Sequence, residues 1–426
     1  MRLRRRSTPA GGPEWCSPVR RLSDLARLDV DGLVTEAIER SIHDDGEVGL
    51  QVAAYLGDDL IVDTWGGLAD ETTRRKVGGD TLFNIFSVTK ALTVTALHVL
   101  AQRGHIEYEA KIARYWPEFA THGKGTATVR HALCHRAGIP QMPAGCTMGR
   151  MCDWDGMVTS IADLAPLYPP GTMSAYHAYT FGWIIGELVQ RTDPLGRRID
   201  RFILEEICQP LGIRDFWMGI PPELEMRIAR LRDETVHVPL NADISKLPLV
   251  QRVALLAIPN EVSTTPEHFM QPAVKAACLP GMGGIADARS IARFFAMLAN
   301  GGRLGDVRLL SDARVRSFCQ RRPRVEGDEL DLDDMVVGQG GFHLPSPPGQ
   351  RTYYHVLGSR SPILAHAGTG KQVGWAELDT GLAVAILHNR LSSAAPDPAS
   401  DPLVPIARAV RKAAAITAGR PATSRQ

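Results

Sequence analysis

Lysine is scarce in this chain: 8 residues among 426, against 40 arginines. A lysine in a patterned position is therefore informative. Charge of one sign is also lacking, since 48 basic and 47 acidic residues leave a formal net charge of +1. No global field draws such a chain to nucleic acid or to an anionic membrane. No uninterrupted apolar run is long enough to cross a bilayer. The seven cysteines (Cys16, Cys134, Cys146, Cys152, Cys208, Cys278, Cys319) are odd in number, widely spaced and free of any Cys-x-x-Cys pair. That argues against a disulfide framework and fits reduced thiols in a cytoplasmic protein. Gly-x-Ser-x-Gly is absent, which removes the nucleophile elbow of Ser-His-Asp hydrolases. No apolar stretch follows the basic residues 1–6, so no signal peptide is expected, and residues 1–22 read as a disordered basic tail.

What remains is an ordinary globular composition, 44% hydrophobic and 22% charged, in a chain long enough for two domains. Apolar spacing predicts a helix over 28–42, then strands over 48–56 and 60–67 joined by a turn at Gly57-Asp58-Asp59. A long helix is expected from Ser87 to Arg103, ended by Gly104. Residues 105–285 read as helices and loops, with helical candidates at 128–133, 160–167, 181–191 and 199–211. A helix over 288–298 follows. Residues 321–335 read as a solvated charged loop. Strands over 372–378 and 382–388 flank Asp379-Thr380-Gly381, a strong hairpin signal, and a helix over 404–416 closes the chain. The expected fold is α+β: an antiparallel sheet flanked by helices (23–85 with 286–418) and a mostly helical second domain (86–285), with a short tail at 419–426. A ligand cleft between them is expected.

Three stretches carry candidate chemistry. The first is Ser87-Val88-Thr89-Lys90, and Lys90 alone among the lysines has a serine three residues before it. On a helix this spacing puts hydroxyl and amine on one face. A serine needs a base to become a nucleophile, and a lysine in a dry pocket can act as one. A capping serine beside an exposed lysine gives the same spacing. The second is Pro170-Gly171-Thr172, followed by Tyr176-His177-Ala178. A tyrosine beside an ammonium group becomes a usable base; as a packing aromatic it needs no such neighbour. The third is His366-Ala367-Gly368-Thr369-Gly370 ahead of a strand, where small residues admit a ligand close to the backbone. His131, Cys134 and His135 could also form part of a metal cluster, or simply pack.

Together, Ser-x-x-Lys, the Tyr after Pro-Gly-Thr, and His-x-Gly before the last strands resemble the serine β-lactamase-related proteins. The closer likeness is to esterases similar to class C β-lactamases. Residues 115–119, 128–140 and Gly281-Met282-Gly283-Gly284 support it, and the resemblance spans about residues 30–415. It implies a β-lactamase/transpeptidase-like fold and an acyl-enzyme formed on Ser87, with Lys90 as its proton partner and Tyr176 as the shared base. His366 would stand where penicillin-recognising members carry Lys, and the N–H groups of Ser87 and Thr369, beside Gly368, would form the oxyanion hole. His177 and Trp375 are read as substrate-facing, although His177 suits a structural role equally. No metal or organic cofactor is implied. The expected partner is a small-molecule ester or lactone. Ala178 lacks the amide that β-lactamases of this type carry, and His366 replaces a fixed cation. Transfer of the acyl group to an alcohol, a β-lactamase or D-peptidase activity, and an inactive binding protein of the same fold are the rival readings.

Overall fold

The computed structural model describes residues 22–235, 246–322, 336–345, 362–392 and 400–419. The expected tails and most of the charged loop lie outside these residues. The first described element is α1 (Leu22–Asp44), longer at its start than its apolar spacing predicts. Strands β1 (Gly49–Leu56) and β2 (Asp59–Asp70) follow, turning at Gly57 with φ +60° as expected of a hairpin glycine. After the short β3 (Arg75–Lys76) come β4 (Phe83–Phe86) and α2 (Thr89–Gln102).

The middle of the chain supplies α3 (Val129–Leu133), α4 (Trp154–Ala162), α5 (Thr180–Thr192), β5 (Phe216–Met218), β6 (Gly284–Ala286) and α6 (Ala288–Ala299). The helix expected over 160–167 lies six residues earlier. Asp153 caps it by accepting the Gly156 N–H, and Pro166 disfavours helix in the segment just before it. The last stretch holds β7 (Val336–Val337), β8 (His343–Leu344), β9 (Ile363–Ala367), β10 (Val373–Glu377), β11 (Leu382–His388) and α7 (Leu403–Thr417).

Among the described residues the main sheet has eight strands in the order β7-β8-β9-β10-β11-β1-β2-β3, antiparallel throughout. Central β1 and β11 are buried on both faces, so they read as near-continuous apolar runs. Leu50, Val52, Val384 and Ile386 face the terminal helices α1 and α7. Ala53, Ala383 and Ala385 face the other way, toward α6. Small residues are needed there because α6 lies close: a Cβ on Gly374 would sit 2.3 Å from the Phe295 ring.

Strand β4 does not join this sheet. It pairs with β6, which also pairs with β5, in a separate three-stranded sheet. Sequence reading expected only helices and loops around β5 and β6. Three-residue strands are too short to show a two-residue period. Helix α2 rises from the end of β4 and is buried from Thr89 to Leu100. A helix apolar on every side must be surrounded. Its few polar groups are satisfied internally: Thr93 donates to Pro280 O at 2.7 Å, and His98 bonds Tyr108 Oη and Gly340 O, each at 2.8 Å.

Candidate active site

Ser87 sits where β4 turns into α2. Phe86 takes a φ of +44°, a left-handed value that costs a bulky residue about 1–3 kcal/mol. Tertiary contacts hold the kink. Thr89 Oγ1 donates to Phe86 O at 2.5 Å and accepts the Gly284 N–H at 2.9 Å. Gly368 closes on the same junction, where an added Cβ would lie 2.5 Å from Ile85 O and 3.1 Å from Ser87 N. Ser87 is not the cap of α2. Val88 occupies that position, with no side-chain cap bond.

Lys90 is wholly buried, and its Nζ lies 3.0 Å from Ser87 Oγ, 2.8 Å from Ala178 O and 2.7 Å from Gly281 O. Burial drives its pKa well below the ordinary lysine value. A neutral amine has two hydrogens and one lone pair. With the two carbonyls taking two of its hydrogens, the unprotonated form of this amine has its lone pair left for the Ser87 hydroxyl. Ala178 and Gly281 thus contribute through backbone oxygens, a role that no side-chain pattern announces.

Tyr176 is half-buried, and its ring centroid lies 4.9 Å from Lys90 Nζ. Its turn is held by His135, a residue with φ +56° beyond the end of α3. His135 O accepts the Ala175 N–H at 3.2 Å, and His135 Nδ1 accepts the His177 N–H at 3.0 Å. The His135 ring stacks on Phe181 at 4.4 Å and tilts against Tyr176 at 4.6 Å. His131 is turned to capping α3 with Thr128. Among the described residues no group of three His, Cys, Asp or Glu could hold a metal ion.

His177 is not substrate-facing. It is buried, its Nδ1 donates to Ala175 O at 2.6 Å, and its Nε2 accepts the Ile139 N–H at 3.3 Å. Burial lowers its pKa to about 4, so it is a neutral structural imidazole. Trp375 is also outside the site. Cross-strand pairing sets His366 opposite Gly374 and Ala365 opposite Trp375, so Trp375 and His366 point to opposite faces of the sheet. Trp375 packs among the residues under α1 and α7, and its indole N–H donates to Glu377 at 3.2 Å.

His366 lies on the α6 side of β9, fully buried, with its ring 3.9 Å from that of His343. Burial first, then the fields of His343 and Lys90, push its pKa well below the usual histidine value. It is therefore neutral at pH 7. His343, on two-residue β8, belongs to no recognisable motif and was invisible in the sequence. Gly368 and Thr369 follow β9 in a turn closed by Gly368 N–H to Gln372 O at 2.7 Å.

Ser87, Lys90, Tyr176, His366 and Gly368–Thr369 thus come from segments far apart in the chain and converge on one junction. A family model described as Beta-lactamase matches residues 34–408. The chain belongs to the beta-lactamase family. Within this family it is similar to the Esterase/beta-lactamase LipL of Mycobacterium tuberculosis, 32% identical over 81% of this chain and 78% of that protein. It is also similar to Esterase EstB of Burkholderia gladioli, 32% identical over 35% of this chain and 41% of that one. Among solved structures, a family VIII carboxylesterase superposes with TM-score 0.77 at 28% identity, covering 90% of this chain and 97% of that one. EstA from Arthrobacter nitroguajacolicus Rue61a gives 0.74 at 26% identity, covering 90% and 96%. The fold is α+β and β-lactamase/transpeptidase-like. Among the described residues no helix is long and apolar enough to cross a membrane.

Proposed function

We propose that the protein is a serine carboxylesterase that forms an acyl-enzyme on Ser87 and acts on small-acyl esters or lactones. One observation carries the reading: the buried Lys90 amine, 3.0 Å from Ser87 Oγ, with two carbonyls engaging its hydrogens. In this reading the hydroxyl proton passes to Lys90, directly or through Tyr176 Oη, which gives its own hydrogen to the amine as it takes the serine's, while Ser87 Oγ attacks the ester carbonyl. The N–H groups of Ser87 and Thr369 receive the negative oxygen of the tetrahedral intermediate. The intermediate collapses, and the alcohol leaves with the proton of Tyr176, which Lys90 restores from the one it took. Water then attacks the acyl-enzyme by the same path in reverse and releases the carboxylic acid.

An ester is favoured over a β-lactam on two counts. Ala178 has no amide with which to bind an acylamino group, and neutral His366 offers no fixed cation for a carboxylate. The names Esterase EstB and family VIII carboxylesterase support the same choice, whereas Esterase/beta-lactamase LipL carries both activities in its name. The test is hydrolysis of p-nitrophenyl acetate or butyrate, with a fluorophosphonate probe to locate the reactive oxygen by mass spectrometry. Turnover and labelling are expected in the wild type and absent in Ser87→Ala. Tyr176→Phe is expected to lose most turnover while keeping its fold. Labelling elsewhere than Ser87 overturns the nucleophile, near-normal rates in Tyr176→Phe overturn the base, and efficient nitrocefin hydrolysis overturns the substrate argument.

A further inference from the structure

The turn that carries Thr369 is held in an unfavourable shape. Gly370 and the non-glycine Lys371 both lie in the left-handed region, with φ +76° and +74°. For lysine this conformation needs outside support. Part of that support comes from Gln372, which is fully buried. Its Nε2 donates to His388 O at 2.8 Å, and its Oε1 accepts the His388 N–H at 2.9 Å, which ties the turn to the end of β11. Further support comes from Lys371, whose Nζ meets Asp401 Oδ2 at 2.8 Å, with side chains only 17% and 2% exposed. Asp401 is itself fixed, because its Oδ1 accepts the Leu403 N–H at 2.9 Å and its carbonyl the Val404 N–H at 3.0 Å, where α7 begins. On the other side of the turn, Gly368 fits against Ile85 O and Ser87 N with no room for a Cβ. A displacement of the turn is therefore felt at the nucleophile.

We infer that the Lys371–Asp401 ion pair is a positioning device for catalysis: by locking the 368–372 turn to the start of α7, it keeps the Thr369 N–H aimed beside Ser87. This rests on the proposed assignment of Thr369 to the oxyanion hole. In this role both residues act through the turn rather than on substrate. A nearly buried ion pair on a strained turn fixes a geometry that the local sequence would not keep.

The test uses the full chain, with kcat and KM for p-nitrophenyl butyrate expressed per active site titrated by the fluorophosphonate. A matched thionoester is run alongside, because sulfur is a poorer acceptor than oxygen for the two N–H donors. In Lys371→Met, kcat per titrated site is expected to fall about 10–100-fold with KM within about threefold. The oxoester-to-thionoester rate ratio should fall with it, and Lys371→Arg should recover most of the loss. If Lys371→Met does not fold, Asp401→Asn carries the same expectation, since its amide oxygen can still cap Leu403. Unchanged kcat per site and an unchanged ratio, with only a lower melting temperature, would overturn the positioning role. If the wild type gives no burst, or Ser87→Ala keeps it, the reading of the site fails and this inference with it. A normal burst with unaffected variants removes the ion-pair role alone.

Discussion

Replacing Lys90 by Met deletes the amine while keeping a side chain of similar length. Lys90 Nζ makes three polar contacts, at 3.0, 2.8 and 2.7 Å, and no carboxylate is among them. If its lone pair takes the Ser87 proton, its loss removes a general base, an effect of about 10²–10⁴ in kcat or roughly 3–5 kcal/mol of barrier. The substitution also leaves Ala178 O and Gly281 O without donors, at about 1–3 kcal/mol each. Relief from holding an amine in a dry site offsets part of that. The pH dependence separates these effects. The folded pKa of Lys90 is lowered by burial, so between that value and the ordinary lysine value the unfolded chain binds the extra proton. Across that window this group makes stability rise with pH, by about 1.4 kcal/mol per unit, and fall as pH drops. Activity should follow the same sense, with kcat/KM rising as the amine loses its proton. Both slopes should be missing in Lys90→Met. The assay is p-nitrophenyl butyrate hydrolysis from about pH 5 to 9, with urea unfolding of both proteins at each pH. Stability profiles that run parallel, or a Lys90→Met rate within about threefold of wild type, would refute a neutral buried amine acting on Ser87.

Gly368→Ala tests the close approach rather than backbone freedom, since the residue has an ordinary φ of −114°. Its new Cβ would press on Ile85 O and Ser87 N, both backbone atoms that must shift, so kcat should drop about 100-fold or more and the melting temperature should fall with it; an active variant would mean that the turn stands clear of the nucleophile. His177→Ala removes a buried ring bonded at both nitrogens and should cost about 2–4 kcal/mol in urea unfolding, and a change in substrate preference without such a cost would return His177 to the cleft. Trp375→Phe should cost about 1–3 kcal/mol and leave KM unchanged, because the indole lies on the far face of the sheet. A raised KM at unchanged stability would contradict that placement.

Much of the site was legible because its residues are local to motifs. Ser87 and Lys90 are one helical turn apart, and that spacing survives any tertiary arrangement. The hairpins at Gly57 and Gly381 were readable because strand-length apolar runs bracket a turn that requires positive φ. Sequence failed where the answer depended on a neighbour. The apolar stretch over 160–167 gave no sign that Asp153 would start its helix earlier. His177 and Trp375 looked available because a polar or aromatic residue beside a motif carries no label for the direction it faces.

By itself the sequence determined strands β1, β2, β10 and β11 of the main sheet and the helices packed on them, the scarcity that singles out Lys90, and the hydroxyl–amine pair at its spacing. Tertiary structure alone decided that the amine is dry, because burial in α2 comes from elements distant in the chain. It decided that Ala178 and Gly281 would occupy the amine's hydrogens, since any residue has a carbonyl and only packing aims it. It also decided which face of β10 looks into the site. Alternation fixes that Gly374 and Trp375 point opposite ways, but cross-strand register with His366 chooses between them.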